Sequence, residues 1–370
     1  MVSRRHFFTV TAAAGAASAL LPRLAWAAED RTAEQLVTKA IGFLTTKGQA
    51  DDGSYTAASG PGITALVVAG ILRNGRSPDD PAVSKSLKYL EGFVQPDGGV
   101  YAQESYYKNY ETCIIILAFT EANKDGRYAK ILKQADAYIK GTQWDESEGK
   151  AKDDTFYGGA GYGKNKRPDL SNTTFLIDAL KATGNDENSD AIKRALIFVS
   201  RCQNLETEHN TTPFATKNPD GGFYYTPAAG GTSQAGIDEN TGGLRSYASM
   251  TYAGLKSMIY AGVKPDDPRV KGALSWLKKH YDLKENPGMG QAGLFYYYHT
   301  FAKALAAMGH DEFVDEKGVK HDWRKELIAE LASRQRADGS WVNEEKKWLE
   351  GDANIVTAYA LLALSYCKKK

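Results

Sequence analysis

The sequence has little cysteine, no surplus of either charge and no long hydrophobic run. Its 370 residues include 3 cysteines, Cys113, Cys202 and Cys367, which are widely spaced and form no CxxC pair. This spacing argues against a disulfide framework, and the apolar helical pattern around each cysteine predicts buried free thiols. Lysine and arginine number 46 against 45 aspartates and glutamates, so no basic field indicates a nucleic acid partner. No later segment approaches roughly 18 consecutive apolar residues, so we expect no transmembrane segment.

The N-terminal residues are typical of a targeting segment. Arg4 and Arg5 precede two phenylalanines and a weakly apolar, alanine-rich stretch over 9–21, and residues 25–27 form a small-x-small cleavage pattern. The arginine pair resembles a twin-arginine signal. We expect residues 1–27 to direct export to the periplasm or beyond, and residues 28–370 to form a single domain. An N-terminal amphipathic helix is the alternative, but charge, apolar run and cleavage site occur in the order of a signal peptide.

Glycine and tyrosine are abundant, at 36 and 21 residues of 370, and glycine exceeds its usual share of roughly 7%. The glycines recur in six polar turns, most with a nearby glutamine and a following aromatic residue: 49–55, 95–101, 156–159, 218–224, 291–296 and 335–341. The repetition predicts six copies of one structural unit.

Each turn lies between two helical patterns of different character. The segments before the turns carry apolar residues at three- and four-residue spacing, over 33–46, 83–93, 131–140, 192–202, 270–280 and 323–334. The segments after the turns are apolar nearly all round, over 62–72, 112–120, 171–182, 247–260, 298–308 and 355–364. Amphipathic helices that alternate with fully apolar helices predict two concentric rings, with the apolar helices inside. The fold class is therefore all-α, an α/α toroid (α6/α6 barrel) of six helical hairpins.

One turn carries a family resemblance. Gln335, Asp338, Gly339, Ser340 and Trp341 form a QxxDGSW run that resembles the QW motif of squalene and oxidosqualene cyclases, and the turns at 49–55, 95–101 and 218–224 look like weaker copies. Runs at 168–173 and 249–255 are also similar to bacterial proteins with prenyltransferase/squalene-cyclase repeats. The resemblance covers residues 33–366 and implies the terpenoid cyclase/protein prenyltransferase toroid. It also implies an apolar, isoprenoid-like ligand in a central cavity.

The chemistry of these families does not carry over. Squalene cyclases protonate an alkene with a DxDD motif, but none of the Asp-Asp pairs of this chain, at 51–52, 79–80, 153–154 and 266–267, continues as DxDD or DDxxD. The segment around His299 resembles the histidine-bearing segment of protein prenyltransferase β subunits, yet Arg245 and its neighbours stand where those enzymes have Asp-x-Cys. One imidazole does not make a zinc site. We therefore expect no metal, no cofactor and no cyclisation of squalene.

Three residues are candidates for catalysis: His299, Asp169 and Asp352. His299 is interpreted as opening an inner helix and facing the mouth of the toroid, as a general base or ligand contact, with a core histidine as the alternative. Asp169 and Asp352 each precede an apolar inner helix, so each is either a catalytic carboxylate or an N-cap. A helix N-terminus favours the charged carboxylate, which would lower its pKa and make it a poor proton donor.

Four further residues are candidates for ligand binding: Arg245, Tyr110, Tyr247 and Tyr298. Arg245 lies in a glycine-rich stretch and would hold an anionic group or form a salt bridge, whereas the tyrosines would line a pocket or pack between units. The sequence leaves catalysis and oligomeric state open. Two other functions also remain: a non-catalytic scaffold or interaction toroid, and a glycan-active toroid such as a polysaccharide lyase.

Overall fold

The computed structural model describes residues 32–368, and within them twelve α-helices alternate with turns and loops. The helix α1 spans 32–43 and continues as a π-helical turn, Leu44–Gly48. The others are α2 (Gly62–Arg73), α3 (Pro81–Glu91), α4 (Lys108–Ala122), α5 (Ala129–Lys140), α6 (Leu170–Ala182), α7 (Asp190–Arg201), α8 (Ala248–Tyr260), α9 (Pro268–Lys279), α10 (Leu294–Met308), α11 (Trp323–Arg334) and α12 (Ala353–Cys367). Two short antiparallel strands, β1 (Phe313–Val314) and β2 (Lys320–His321), lie between α10 and α11.

The even-numbered helices form a closed inner ring. Each of α2, α4, α6, α8 and α10 packs against the next even-numbered helix, and α12 packs back against α2. Ten or eleven residues are buried in each of these six helices, whereas the odd-numbered helices from α3 to α11 bury only three to seven residues each. The predicted α/α toroid with an apolar inner and an amphipathic outer ring is confirmed.

Capping residues set where several helices begin. Asp80 and Asp267 accept hydrogen bonds from the N–H groups of Ala82 and Arg269, and the proline that follows each aspartate stands in the first turn of α3 or α9. The aspartate pairs one of the free N–H groups at the start of the helix, and the proline has no N–H group to pair. The starts of α3 and α9 are therefore set by the local sequence.

The glutamine of the repeated turn joins neighbouring outer helices. In four units its Nε2 donates to a carbonyl near the start of the next outer helix: Gln49 to Ala82 (2.7 Å), Gln143 to Ala191 (2.9 Å), Gln203 to Arg269 (2.8 Å) and Gln335 to Leu36 (2.9 Å). The last of these bonds connects the last unit to the first. Gln95 and Gln291 bond instead within their own loops.

The glycine of the turn allows close approach to the neighbouring outer helix. Gly339 has φ 91° and Gly221 has φ 79°, in the left-handed region where a Cβ is strained. A Cβ on Gly221 would lie 2.6 Å from the carbonyl oxygen of Gly272 in α9, and one on Gly339 would collide with the carbonyl of Lys39 in α1. Glycine is therefore required both by the turn and by the packing of units.

Cys113, Cys202 and Cys367 are free and buried, as predicted. Between residues 32 and 368, no helix combines the length and the apolar character needed to cross a bilayer. The predicted signal peptide, residues 1–27, lies outside the described residues.

Candidate functional site

A cavity of about 840 Å³ that is open to solvent at its mouth lies at one end of the inner ring. Its wall includes residues from the first turns of all six inner helices, among them Gly62, Glu111, Ser171, Ser249 and Tyr296. Ile355 supplies the contribution of α12. The cavity therefore lies where the N-terminal ends of the inner helices converge, a region of positive helix-dipole potential.

Aromatic rings make up about a third of the residues that line the cavity. The ring of Tyr110 on α4 packs edge-on against Phe175 on α6, with 5.3 Å between centroids. Phe175 lies 6.4 Å from Tyr296 on α10, whose ring is 5.8 Å from that of Tyr359 on α12. Half-buried Tyr162 and Tyr225 and buried Tyr247 also line the cavity. These rings give an apolar surface with hydroxyl groups at its edges. One of these hydroxyls, that of Tyr296, lies 3.0 Å from Ser171 Oγ.

Two buried glutamates also line the cavity. Glu111 accepts hydrogen bonds from the Ala102 N–H (2.9 Å) and the Ser105 hydroxyl (2.7 Å). Glu350 accepts from the N–H groups of Phe295 (3.0 Å) and Tyr296 (2.8 Å) and from Asn343 Nδ2 (2.7 Å). Burial raises the pKa of both carboxyls, and these hydrogen bonds oppose the rise.

Sequence reasoning missed Glu350 as a site residue. It lies in the loop before α12, outside any helical pattern, and reaches the first turn of α10. The only local signal was an acidic residue two positions before the cap residue Asp352. Glu111 was visible in the sequence as a first-turn acid of an inner helix, which is a common feature of helices in general.

Asp169 and Asp352 are both N-caps. Asp169 accepts from the N–H (2.9 Å) and Nδ2 (2.7 Å) of Asn172, and Asp352 accepts from the N–H groups of Asn354 and Ile355. Neither aspartate lines the cavity, although Asn172 does. Burial raises the pKa of Asp169 to about 6, against the opposing hydrogen bonds. The expectation that its helix N-terminus would leave this pKa low is wrong, because the loss of solvent outweighs the cap.

His299 does not face the mouth of the toroid. Helix α10 begins at Leu294, so His299 lies in its second turn, where it is buried and stacked against Tyr359 at 6.0 Å between centroids. Burial and the nearby Lys303 ammonium lower its pKa well below the usual value. Its Nδ1 has no hydrogen-bond partner among the residues described.

The structure brings two of the four predicted ligand contacts to the cavity. Tyr110 and Tyr247 line it. Tyr298 is buried but turned away, because its hydroxyl donates to the carbonyl of Leu283 at 2.7 Å. Arg245 is exposed in the loop before α8 and is not part of the wall. Whether any of these residues contacts a ligand stays a prediction.

Exposed apolar residues surround the mouth of the cavity. Tyr106, Tyr107, Trp348 and Leu349 all line it, and each is about half exposed. Trp348 and Leu349 have φ of 53° and 65°, a left-handed conformation that is costly for residues with a Cβ. Such strain is retained at functional positions more often than elsewhere, so this segment is part of the candidate site.

A buried ionic cluster lies deeper in the ring, beyond the first turns of the inner helices. Asp178 on α6 is paired with Lys256 on α8 at 2.6 Å and with Lys303 on α10 at 2.5 Å. Arg73, the last residue of α2, and Glu121 of α4 form a further pair at 2.7 Å. These cations lie toward the C-terminal ends of their helices, where positive charge offsets the helix dipole. Within residues 32–368, no group of three or more metal-ligating side chains occurs.

Comparison with known proteins places the chain in a family. No curated protein matches the sequence. Solved structures match over most of its length. A protein from Actinoplanes shares 13% identity over 90% of this chain and 99% of its own, with a TM-score of 0.52. A polysaccharide lyase shares 10% over 92% and 97% (TM-score 0.53). A family 76 glycoside hydrolase from a bovine Bacteroides thetaiotaomicron strain shares 13% over 90% and 77% (TM-score 0.53).

At these identities the structural matches show that the toroid fold is shared. They give no information about the activity of this chain. The sequence profile of the squalene-hopene cyclase C-terminal domain matches residues 14–226, which is more than half of the chain. This match agrees with the QW-like turns and with the closed ring of inner helices. The chain therefore belongs to the squalene-hopene cyclase C-terminal domain family.

Proposed function

We propose that this protein is an exported toroid that binds an apolar, isoprenoid-like molecule in its central cavity. The observation that carries the proposal is the cavity of about 840 Å³, which is within the size range of small-molecule sites. Its wall of tyrosine and phenylalanine rings matches the surface of a hydrocarbon chain.

The alternatives predict a different centre. A scaffold toroid is expected to fill its ring with packed side chains, because an empty apolar space forfeits packing energy. A glycan-binding toroid is expected to present an open cleft with arginines and carboxylates. The cavity wall contains Glu104, Glu111 and Glu350, and no arginine occurs among the described residues that line it. The lack of an arginine among these lining residues, together with their aromatic rings, favours an apolar ligand over an acidic polysaccharide.

Native mass spectrometry of protein purified from its own cell envelope tests the proposal. We expect a bound small molecule, which organic extraction would release for identification. Ser171→Phe should abolish the bound mass, because Ser171 lines the cavity and a ring at this position would occupy it. Ser84→Phe is the matched control, since Ser84 is exposed on the outer helix α3.

The outcomes separate the three functions. An apolar molecule that is absent from Ser171→Phe but present in Ser84→Phe supports the proposal. A bound oligosaccharide would support the glycan-active alternative instead. Protein that carries no ligand, and that takes up neither lipids nor oligosaccharides when offered them, would contradict a binding role and favour a scaffold.

The export part of the proposal depends on the sequence of residues 1–27. We expect the mature chain to begin near Ala28 and to require the pair Arg4 and Arg5. Cell fractionation of an Arg4→Lys, Arg5→Lys double variant, with N-terminal sequencing of the exported wild type, tests this. Undiminished export of the double variant would refute a twin-arginine route.

A further inference from the structure

We infer that the ligand of the central cavity carries a protonated amine, so that an ammonium group is held among the aromatic rings while an apolar tail fills the remaining space. This inference rests on the proposed function and deepens it.

The charged residues of the lining are all acidic. Glu104 lies at the exposed mouth, and Glu111 and Glu350 lie within the wall. Lysine, arginine and histidine are missing from the described residues that line the cavity. A phosphate or carboxylate group inside the cavity would therefore meet no cationic side chain in the wall and would approach carboxylates instead.

Helix N-termini normally attract anions, but several of those around this cavity already hold the protein's own carboxylates. Asp169 occupies the N-terminus of α6, Glu350 that of α10 and Asp352 that of α12. Each of these carboxylates accepts backbone N–H groups that an anionic ligand would otherwise need. The positive ends of α6, α10 and α12 are thus offset before a ligand arrives.

The aromatic rings of the site are suited to an ammonium ion. Two aromatic rings at the mouth of the cavity already contact an ammonium group of the protein. Lys166 Nζ lies 4.3 Å from the ring centroid of Tyr106, and Lys347 Nζ lies 4.9 Å from that of Trp348. Neither lysine lines the cavity. Inside the wall, Phe175 and Tyr359 have no such partner among the described cation–ring contacts. Attraction between an ammonium and a ring face grows as water is removed, so it is stronger inside the cavity than at the rim.

Isothermal titration with three ligands of one tail length tests the inference: decylammonium, decanol and decyl sulfate, each below its micellar concentration. We expect decylammonium to bind about tenfold more tightly than decanol, which corresponds to one or two desolvated cation–ring contacts. Decyl sulfate should bind most weakly of the three. Equal affinity for the ammonium and the alcohol, or tighter binding of the sulfate, would overturn the inference.

The decanol measurement separates this inference from the proposed function. Binding of decanol that Ser171→Phe abolishes, without a preference for decylammonium, would refute the ammonium site and leave the apolar cavity supported. Failure of all three ligands to bind wild-type protein would contradict both.

Two variants locate the preference within the cavity. Glu111→Gln removes a lining charge and should reduce the ratio of ammonium to alcohol affinity at least threefold. The matched control Glu187→Gln removes an exposed charge away from the cavity wall and should leave the ratio unchanged. Phe175→Leu removes a ring while keeping an apolar side chain, so it should lower ammonium affinity more than decanol affinity. An unchanged ratio in both Glu111→Gln and Phe175→Leu would refute the assignment.

Discussion

Replacing Asp178 by asparagine would leave two buried ammonium groups without their counter-charge. The side chains of Asp178, Lys256 and Lys303 are each 4–6% exposed, and both lysines bond to the same carboxylate. Burial alone would raise the pKa of Asp178, but the two lysines outweigh it and lower the pKa to about 2. Burial also lowers the pKa of Lys256 to about 8, against the pull of Asp178. The carboxylate is therefore what keeps both lysines charged inside the ring.

We expect Asp178→Asn to lower the free energy of unfolding by about 3–5 kcal/mol, the usual cost of breaking a buried ion pair on one side. Urea denaturation followed by circular dichroism measures this loss. The control Asp79→Asn, at an aspartate whose side chain is 74% exposed, should change stability by less than about 1 kcal/mol. A variant with Asp178→Leu, Lys256→Met and Lys303→Met should lie close to wild type, because it buries no charge.

The loss should also depend on pH. Without the carboxylate, the pKa of the two lysines in the folded state falls further below the unfolded value of about 10.4. Between those values the unfolded chain binds more protons than the folded chain, so stability rises with pH. The deficit of Asp178→Asn should therefore shrink between pH 7 and pH 10. Wild-type stability in Asp178→Asn, or an equal loss in the apolar triple variant, would refute the reasoning.

Two further predictions concern the turns and the buried acid behind the cavity. Alanine at Gly221 or Gly339 should lower the free energy of unfolding by roughly 1–3 kcal/mol. Gly75→Ala, also at positive φ but with open space around its Cβ position, should cost less in the same denaturation assay. Equal losses would mean that contact with the next unit contributes nothing. The pKa of Asp169 is raised to about 6 in the folded protein, so the folded chain binds more protons than the unfolded chain between about pH 4 and pH 6. The free energy of unfolding should therefore fall as the pH rises across that window. Asp169→Asn should remove this dependence on pH. An unchanged slope would show that burial does not raise this pKa.

Much of the fold could be predicted because it depends on local patterns. The inner helix observed at Leu170–Ala182 was predicted over 171–182, since its residues are apolar all round and an aspartate caps it. The start of α10 was placed four residues late, at Tyr298. Gly293 and the aromatic residues after it fit the pattern of a turn, but the glycine is the N-cap itself and the helix begins directly after it. Because the helix begins four residues earlier than predicted, His299 lies in its second turn and not at the mouth.

The candidate site was less predictable because it depends on contacts between distant segments. Tyr110 and Tyr247 were found because they stand at the start of inner helices, whose first turns form the wall. Tyr225 and Glu350 come from irregular segments, and periodicity says nothing about where such side chains point. The cavity itself is a property of how six helices close, and no single segment encodes its volume.

The bond from Gln335 to Leu36 and the contact of α12 with α2 leave the ring without a terminal unit. In an open solenoid, an end repeat has one neighbour and frays first. Here every unit has a neighbour on both sides, so opening any one of them breaks two interfaces. Joining the two ends and cutting the loop between α4 and α5 would give a circular permutant that rebuilds the same ring.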